Sequence, residues 1–125
     1  MARWWTPFTA SCVRPGRHGY SDDDLAAAPP FSKVWPRFRA FVGSDTLVAH
    51  NAQDFDVPVL RRLAAGEADD LAVFDTLPLA RSLFPGGARL TALAERFGID
   101  AGRAHHALDD ARLLREVYLA VKRRP

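Results

Sequence analysis

The chain has 125 residues, 48% of them apolar and 26% charged, with a formal net charge of +2. That length and balance point to one soluble globular domain with an adequate core, and the weak charge neither requires nor forbids a nucleic-acid partner. Cys12 is the only cysteine, so no internal disulfide can form and a reducing compartment is expected. No apolar run approaches membrane-spanning length, and Met1–Pro7 lacks the apolar stretch of a secretory signal, so a cytoplasmic protein without a membrane partner is expected.

In chain order, aromatic and β-branched residues around Phe8–Val13 predict a strand that stops at Pro15-Gly16. Ser21 followed by Asp22, Asp23 and Asp24 predicts the capped start of a short helix ended by Pro29-Pro30. Val34, Trp35, Phe38, Phe41 and Val42 recur at helical spacing over 32–42, and Gly43 closes that helix. Thr46–His50 has the character of a short buried strand. Asp56–Ala65 predicts a helix stopped by Gly66, with Pro58 tolerated because it falls in the first turn.

A second strand-like run, Leu71–Phe74, leads to Asp75-Thr76, which caps a helix through about Leu83 that Pro85-Gly86-Gly87 ends. Arg89–Phe97 is amphipathic and ends at Gly98. The last helix is expected from about Leu108 to Lys122, with Ala107, Ala111, Leu114, Val117, Tyr118 and Val121 as its apolar stripe. Strands alternating with helices predict an α/β layer, helices packed on a small sheet. From Arg81 onward nine Lys or Arg stand against five Asp or Glu, so the basic excess lies in the C-terminal third. It reads equally as a solvated face or as a set of phosphate contacts.

Two segments carry the chemistry: Leu47–Asp56, containing His50-Asn51 and Phe55-Asp56, and His105–Ala111, containing Asp109-Asp110. Asp110 falls in the first turns of the last helix, where the helix N-terminus favours an ionised carboxylate, and oxygen ligands of that kind suit Mg²⁺. A neutral imidazole beside it could take a proton from water. Asp56 opens the helix that follows a buried strand, the place where sites gather in open α/β sheets. Two such carboxylates fit a two-metal phosphoryl-transfer site. Plainer readings exist for each. A loop histidine before a helical aspartate is often only a cap, His106 could replace His105, His50-Asn51 could be a polar turn, and Asp75 a simple helix cap. Asp109 is expected to face solvent. The lone cysteine and the histidine spacing give no support to a zinc site.

His105-His106-Ala107-Leu108-Asp109-Asp110-Ala111 resembles the third motif of the DnaQ-like, DEDDh-type 3′–5′ exonucleases, a family that includes proofreading subunits of bacterial DNA polymerases. In that register His105 pairs with Asp110. Leu47–Asp56 resembles the second motif, with one extra residue between His50-Asn51 and Phe55-Asp56. Phe74–Leu77 with Ala80-Arg81, Arg89–Ala94 with Phe97–Ile99, and His18–Asp23 resemble the segments between the motifs, so the likeness covers about residues 8–121 of a single exonuclease-like domain spanning 1–125. It implies an α/β, RNase H-like fold and hydrolysis at DNA 3′ ends or in single-stranded DNA, with RNA as the other substrate.

The resemblance further implies Mg²⁺ or Mn²⁺ held by Asp56 and Asp110, with His105 as general base, and a polymerase subunit as partner. His50, Asn51, Arg81, Arg89 and Arg103 are the candidate nucleic-acid contacts. The first motif of the family, Asp-x-Glu-Thr-Thr-Gly, is absent from the chain. By the resemblance it would fall before Met1 with the first two strands, which makes the expected sheet N-terminally truncated. The alternative is therefore a catalytically impaired remnant that binds nucleic acid or a polymerase subunit.

Overall fold

The computed structural model describes residues 19–102 and 106–125. The strand expected over Phe8–Val13 and the candidate residues Arg103 and His105 lie outside the described residues. Six helices and two strands follow one another as α1 (Asp22–Ala27), α2 (Phe31–Val42), β1 (Leu47–Ala49), α3 (Asp56–Ala64), β2 (Val73–Asp75), α4 (Thr76–Leu83), α5 (Leu90–Phe97) and α6 (Ala107–Lys122), among the described residues. The architecture is mixed α/β, as the alternating pattern predicts.

The strands β1 and β2 pair in parallel, with Leu47, Val48 and Ala49 opposite Val73, Phe74 and Asp75. Parallel neighbours need a crossover, and α3 supplies it. Short as it is, this β1–α3–β2 unit brings the C-terminal ends of both strands to the same edge. The turns that leave that edge lead into α3 and α4, so Asp56 and Thr76 start adjacent helices.

Two apolar clusters hold the helices. The larger joins Ala80 and Phe84 of the α4 end, Leu93 and Ala94 of α5, and Leu113 and Val117 of α6. Phe84 meets Phe97 edge-on at 5.7 Å, and the guanidinium groups of Arg96 and Arg124 lie 4.9 and 4.8 Å from its ring centre. The smaller cluster centres on Trp35, with Ala64 and Ala68. Its ring stacks between Phe31 and Phe38, and its Nε1–H donates to Glu67 at 2.8 Å, so the buried indole leaves no donor unmet.

Several local expectations shift. Ala65, in the left-handed region at φ 47°, caps α3 one residue before Gly66. Phe41 is 88% exposed, so it does not belong to the core face of α2, which buries Trp35 and Val42. On α6 the buried positions are Leu113 and Val117, while Ala107 and Ala111 are exposed. Neighbouring helical positions point about 100° apart. Leu113 removes far more apolar area from water than either alanine, and it turns the buried face toward itself.

Candidate active site

At the shared strand edge one carboxylate organises three backbone segments. Asp75 ends β2 and caps α4, its Oδ1 accepting from Leu77 N–H at 3.0 Å. The same oxygen accepts from Asn51 N–H at 2.9 Å, and Oδ2 accepts from Gln53 N–H at 3.1 Å. Burial acts to raise the Asp75 pKa, but those three donors and the nearby His50 prevail and hold it below the ordinary aspartate value. The simple-cap reading of Asp75 is therefore too narrow. It also fixes the turn after β1, where Asn51 sits in the left-handed region at φ 61°.

His50 and Thr76 lie beneath that turn. His50 Nδ1 is 2.9 Å from Thr76 Oγ1, its Nε2 is 2.9 Å from the Ala88 carbonyl, and Thr76 Oγ1–H donates to the Ala49 carbonyl at 3.0 Å. Thr76 is buried. Burial lowers the His50 pKa, and Arg81 adds to that, while the Ala88 contact and Asp75 oppose it. Both ring nitrogens are engaged inside the protein, which ties the end of β1 to α4 and to the loop before α5.

Asp56 opens α3 after Phe55, whose side chain makes no capping bond. Burial around its carboxyl, then the charge of Asp75, raise its pKa. The residue as a whole is exposed, so solvent keeps this effect small. Asp56 and Asp75 thus feel each other across the turn. Neither the sequence motif nor the spacing of the chain had marked Asp75 or Thr76 as the centre of this arrangement.

The other candidate carboxylate stands at the start of α6. Asp110 is half-buried in the first turn, its N–H bonded to the His106 carbonyl at 2.9 Å. His106 is the N-cap residue. Its Nε2 lies 3.3 Å from the Tyr20 hydroxyl, the two rings stack at 5.7 Å, and Nδ1 is 3.6 Å from Asp109 Oδ2. The Asp109 side chain is only 19% exposed, which corrects the expectation that it faces solvent: the imidazole draws it back over the helix start. Of the candidate nucleic-acid contacts, Arg81 on α4 and Arg89 before α5 are exposed, and Asn51 is half-buried.

His50 and Asn51 are brought together with Asp75 and Thr76, and Asp56 lies within electrostatic reach of that group. Among the described residues, no three His, Cys, Asp or Glu side chains are spaced to hold a metal ion. Two carboxylates at helix starts are the right kind of ligand for Mg²⁺ or Mn²⁺, but the described donors do not by themselves compose such a centre. No described helix is long and apolar enough to cross a membrane.

Comparisons with known proteins identify the family. The exonuclease family model, RNase_T, matches residues 12–118. The DNA polymerase III subunit epsilon of Rickettsia typhi is 38% identical over 113 residues, which cover 83% of this chain and 49% of the relative. Its counterpart in Escherichia coli K12 is 36% identical over 115 residues, 85% of this chain and 47% of the relative. The PolC-type DNA polymerase III of Clostridium perfringens is 39% identical over 93 residues, 71% of this chain but 6% of that much longer protein. The chain spans about half the length of the epsilon relatives it matches. The matched segment contains both carboxylate-bearing helix starts and the strand edge between them, and the chain belongs to the DnaQ-like exonuclease family, epsilon type.

Proposed function

We propose that the chain carries out 3′–5′ exonucleolytic hydrolysis of phosphodiester bonds in single-stranded DNA or at DNA 3′ ends, in a proofreading or repair role alongside a polymerase subunit. The observation that carries this reading is the presence, within a segment matched by the exonuclease model, of Asp56 and Asp110 in the first turns of α3 and α6. A helix start favours an ionised carboxylate, and an ionised carboxylate favours a divalent ion. Bound Mg²⁺ or Mn²⁺ would supply activated water and stabilise the leaving oxygen.

The residues take these parts. Asp56 and Asp110 are the metal ligands and His105 the general base. Exposed Arg81 and Arg89, with Arg103, meet phosphates, and Asn51 meets the strand beside them. His50 belongs to the nucleic-acid site through the turn it supports, since both its ring nitrogens are occupied within the protein. RNA is the alternative substrate, and the cytoplasm the compartment.

A second reading rests on the absence of an Asp-x-Glu-Thr-Thr-Gly motif from this sequence: a chain that binds single strands or a polymerase subunit without turnover. Degradation of a 5′-labelled oligonucleotide in Mn²⁺ separates the two. The exonuclease reading expects a ladder that His105→Ala, Asp56→Asn and Asp110→Asn each reduce by about 100-fold or more. A folded chain that retains the oligonucleotide in a salt-dependent manner and leaves it intact establishes the binding reading instead.

A further inference from the structure

The three contacts around His50 and Thr76 can all be hydrogen bonds at once only with one more proton than a neutral imidazole and a hydroxyl supply. Ala88 O and Ala49 O are carbonyl oxygens and only accept. The Nε2 contact to Ala88 therefore needs a proton on Nε2, and the Thr76 contact to Ala49 needs the hydroxyl proton. With that proton already spent, the 2.9 Å contact between Thr76 Oγ1 and Nδ1 needs a proton on Nδ1 as well. Three bonds require three protons, and neutral His50 with Thr76 has two. Only the imidazolium satisfies all of them at once.

We propose that His50 and Thr76 form a proton-gated latch at the strand edge: protonation of the ring turns the Thr76 hydroxyl onto the Ala49 carbonyl, and deprotonation turns it away to Nδ1. In the neutral state Nε2–H keeps Ala88, Thr76 donates to Nδ1, and the Ala49 carbonyl loses its side-chain donor. In the charged state Nδ1–H donates to Thr76 and the hydroxyl returns to Ala49. Three elements meet at the latch. Ala49 ends β1 immediately before the turn held by Asp75, Thr76 begins α4, and Ala88 precedes the exposed Arg89.

The charges that face the ring are Asp75 from the β2 end, which favours the proton, and Arg81 from α4, which opposes it. Tyr118 of α6 is the other titratable side chain lining the same small cavity, and Leu93 of α5 contributes only apolar surface. Burial favours the neutral ring, and protonation on acidification closes the latch. The latch is independent of nuclease activity.

Carbon-13 and nitrogen-15 NMR of the whole chain from about pH 5 to 8 reads both ring nitrogens and the Ala49 and Ala88 carbonyls directly. The latch expects a neutral Nε2–H tautomer at the alkaline end, both nitrogens protonated at the acidic end, and an Ala49 carbonyl shift that follows the ring with the same midpoint. Thr76→Ser should preserve that coupling. Thr76→Val should abolish the Ala49 response and lower the ring midpoint, since the charged form loses a charge-assisted bond and the neutral form only an ordinary one. An Ala49 carbonyl that stays flat while the ring titrates overturns the latch, as does a neutral Nδ1–H tautomer. If Thr76→Val does not fold, the wild-type and Thr76→Ser titrations decide the matter alone.

Discussion

The two helix starts that carry the candidate carboxylates are built in opposite ways. At the start of α3 the preceding turn is pinned from inside by Asp75, through the N–H groups of Asn51 and Gln53, and stands over the buried Thr76. At the start of α6 the support comes from outside: Tyr20, itself 45% exposed, lies against His106, which draws in Asp109. Hydrogen bonds to a charged acceptor are stronger than ring contacts. One side of the candidate site is therefore set by the fold itself, and the other by contacts on its surface.

Breaking the inner support should cost most. Asp75→Ala leaves three backbone donors without their acceptor and removes the cap of α4, so chemical denaturation should show a loss of about 3 kcal/mol. Its pH signature has a definite sign. The Asp75 carboxyl is held below the ordinary value, so its stabilisation is fully present above the unfolded-chain pKa and fades as pH falls through the lower folded value. Asp75→Asn should remove that acid-side loss; an unchanged acid profile contradicts the role given to the three donors.

The outer support should matter less. Tyr20→Ala is expected to lower stability by about 0.5–1 kcal/mol, as loss of one exposed aromatic stack. Its larger effect should be local, seen as shifted amide resonances of Asp109 and Asp110. A stability loss equal to that of Asp75→Ala would erase the distinction between the two sides. The smallest effect is expected at Asp56. Its raised pKa means the folded chain holds its proton more tightly, so stability is undiminished below the ordinary value and falls as pH rises from there through the folded one. Asp56→Asn should thus stabilise the chain by a few tenths of a kcal/mol near neutral pH, a gain discounted for exposure. A thermal melt showing clear destabilisation would mean that its carboxyl has a structural partner.

Much of this could be read in the sequence where the signal is local. Ser21 and Asp24 form a capping box, their two bonds at 3.1 and 2.9 Å, as the Ser-Asp-Asp-Asp run suggests. Gly43 and Gly98 end α2 and α5 where expected. Asp75 was legible as a cap because its partner Leu77 is two residues away. Its other partners, Asn51 and Gln53, lie 24 and 22 residues upstream, and His50 finds Thr76 and Ala88 at 26 and 38 residues. No periodicity carries such pairings; the parallel register of β1 and β2 creates them. Phe41 was placed on the core face, and Leu113 left out of the apolar stripe, for a related reason, since helical spacing says which residues share a face but not which face meets the core.

The reach of Asp75 also bears on how this edge of the molecule opens. Since one carboxylate holds amide hydrogens from the turn after β1 and from the first turn of α4, opening either segment by displacing Asp75 removes the acceptor of the other. In hydrogen–deuterium exchange the amides of Asn51, Gln53 and Leu77 should therefore leave as one cooperative unit, sharing a single opening free energy despite lying on separate stretches of chain.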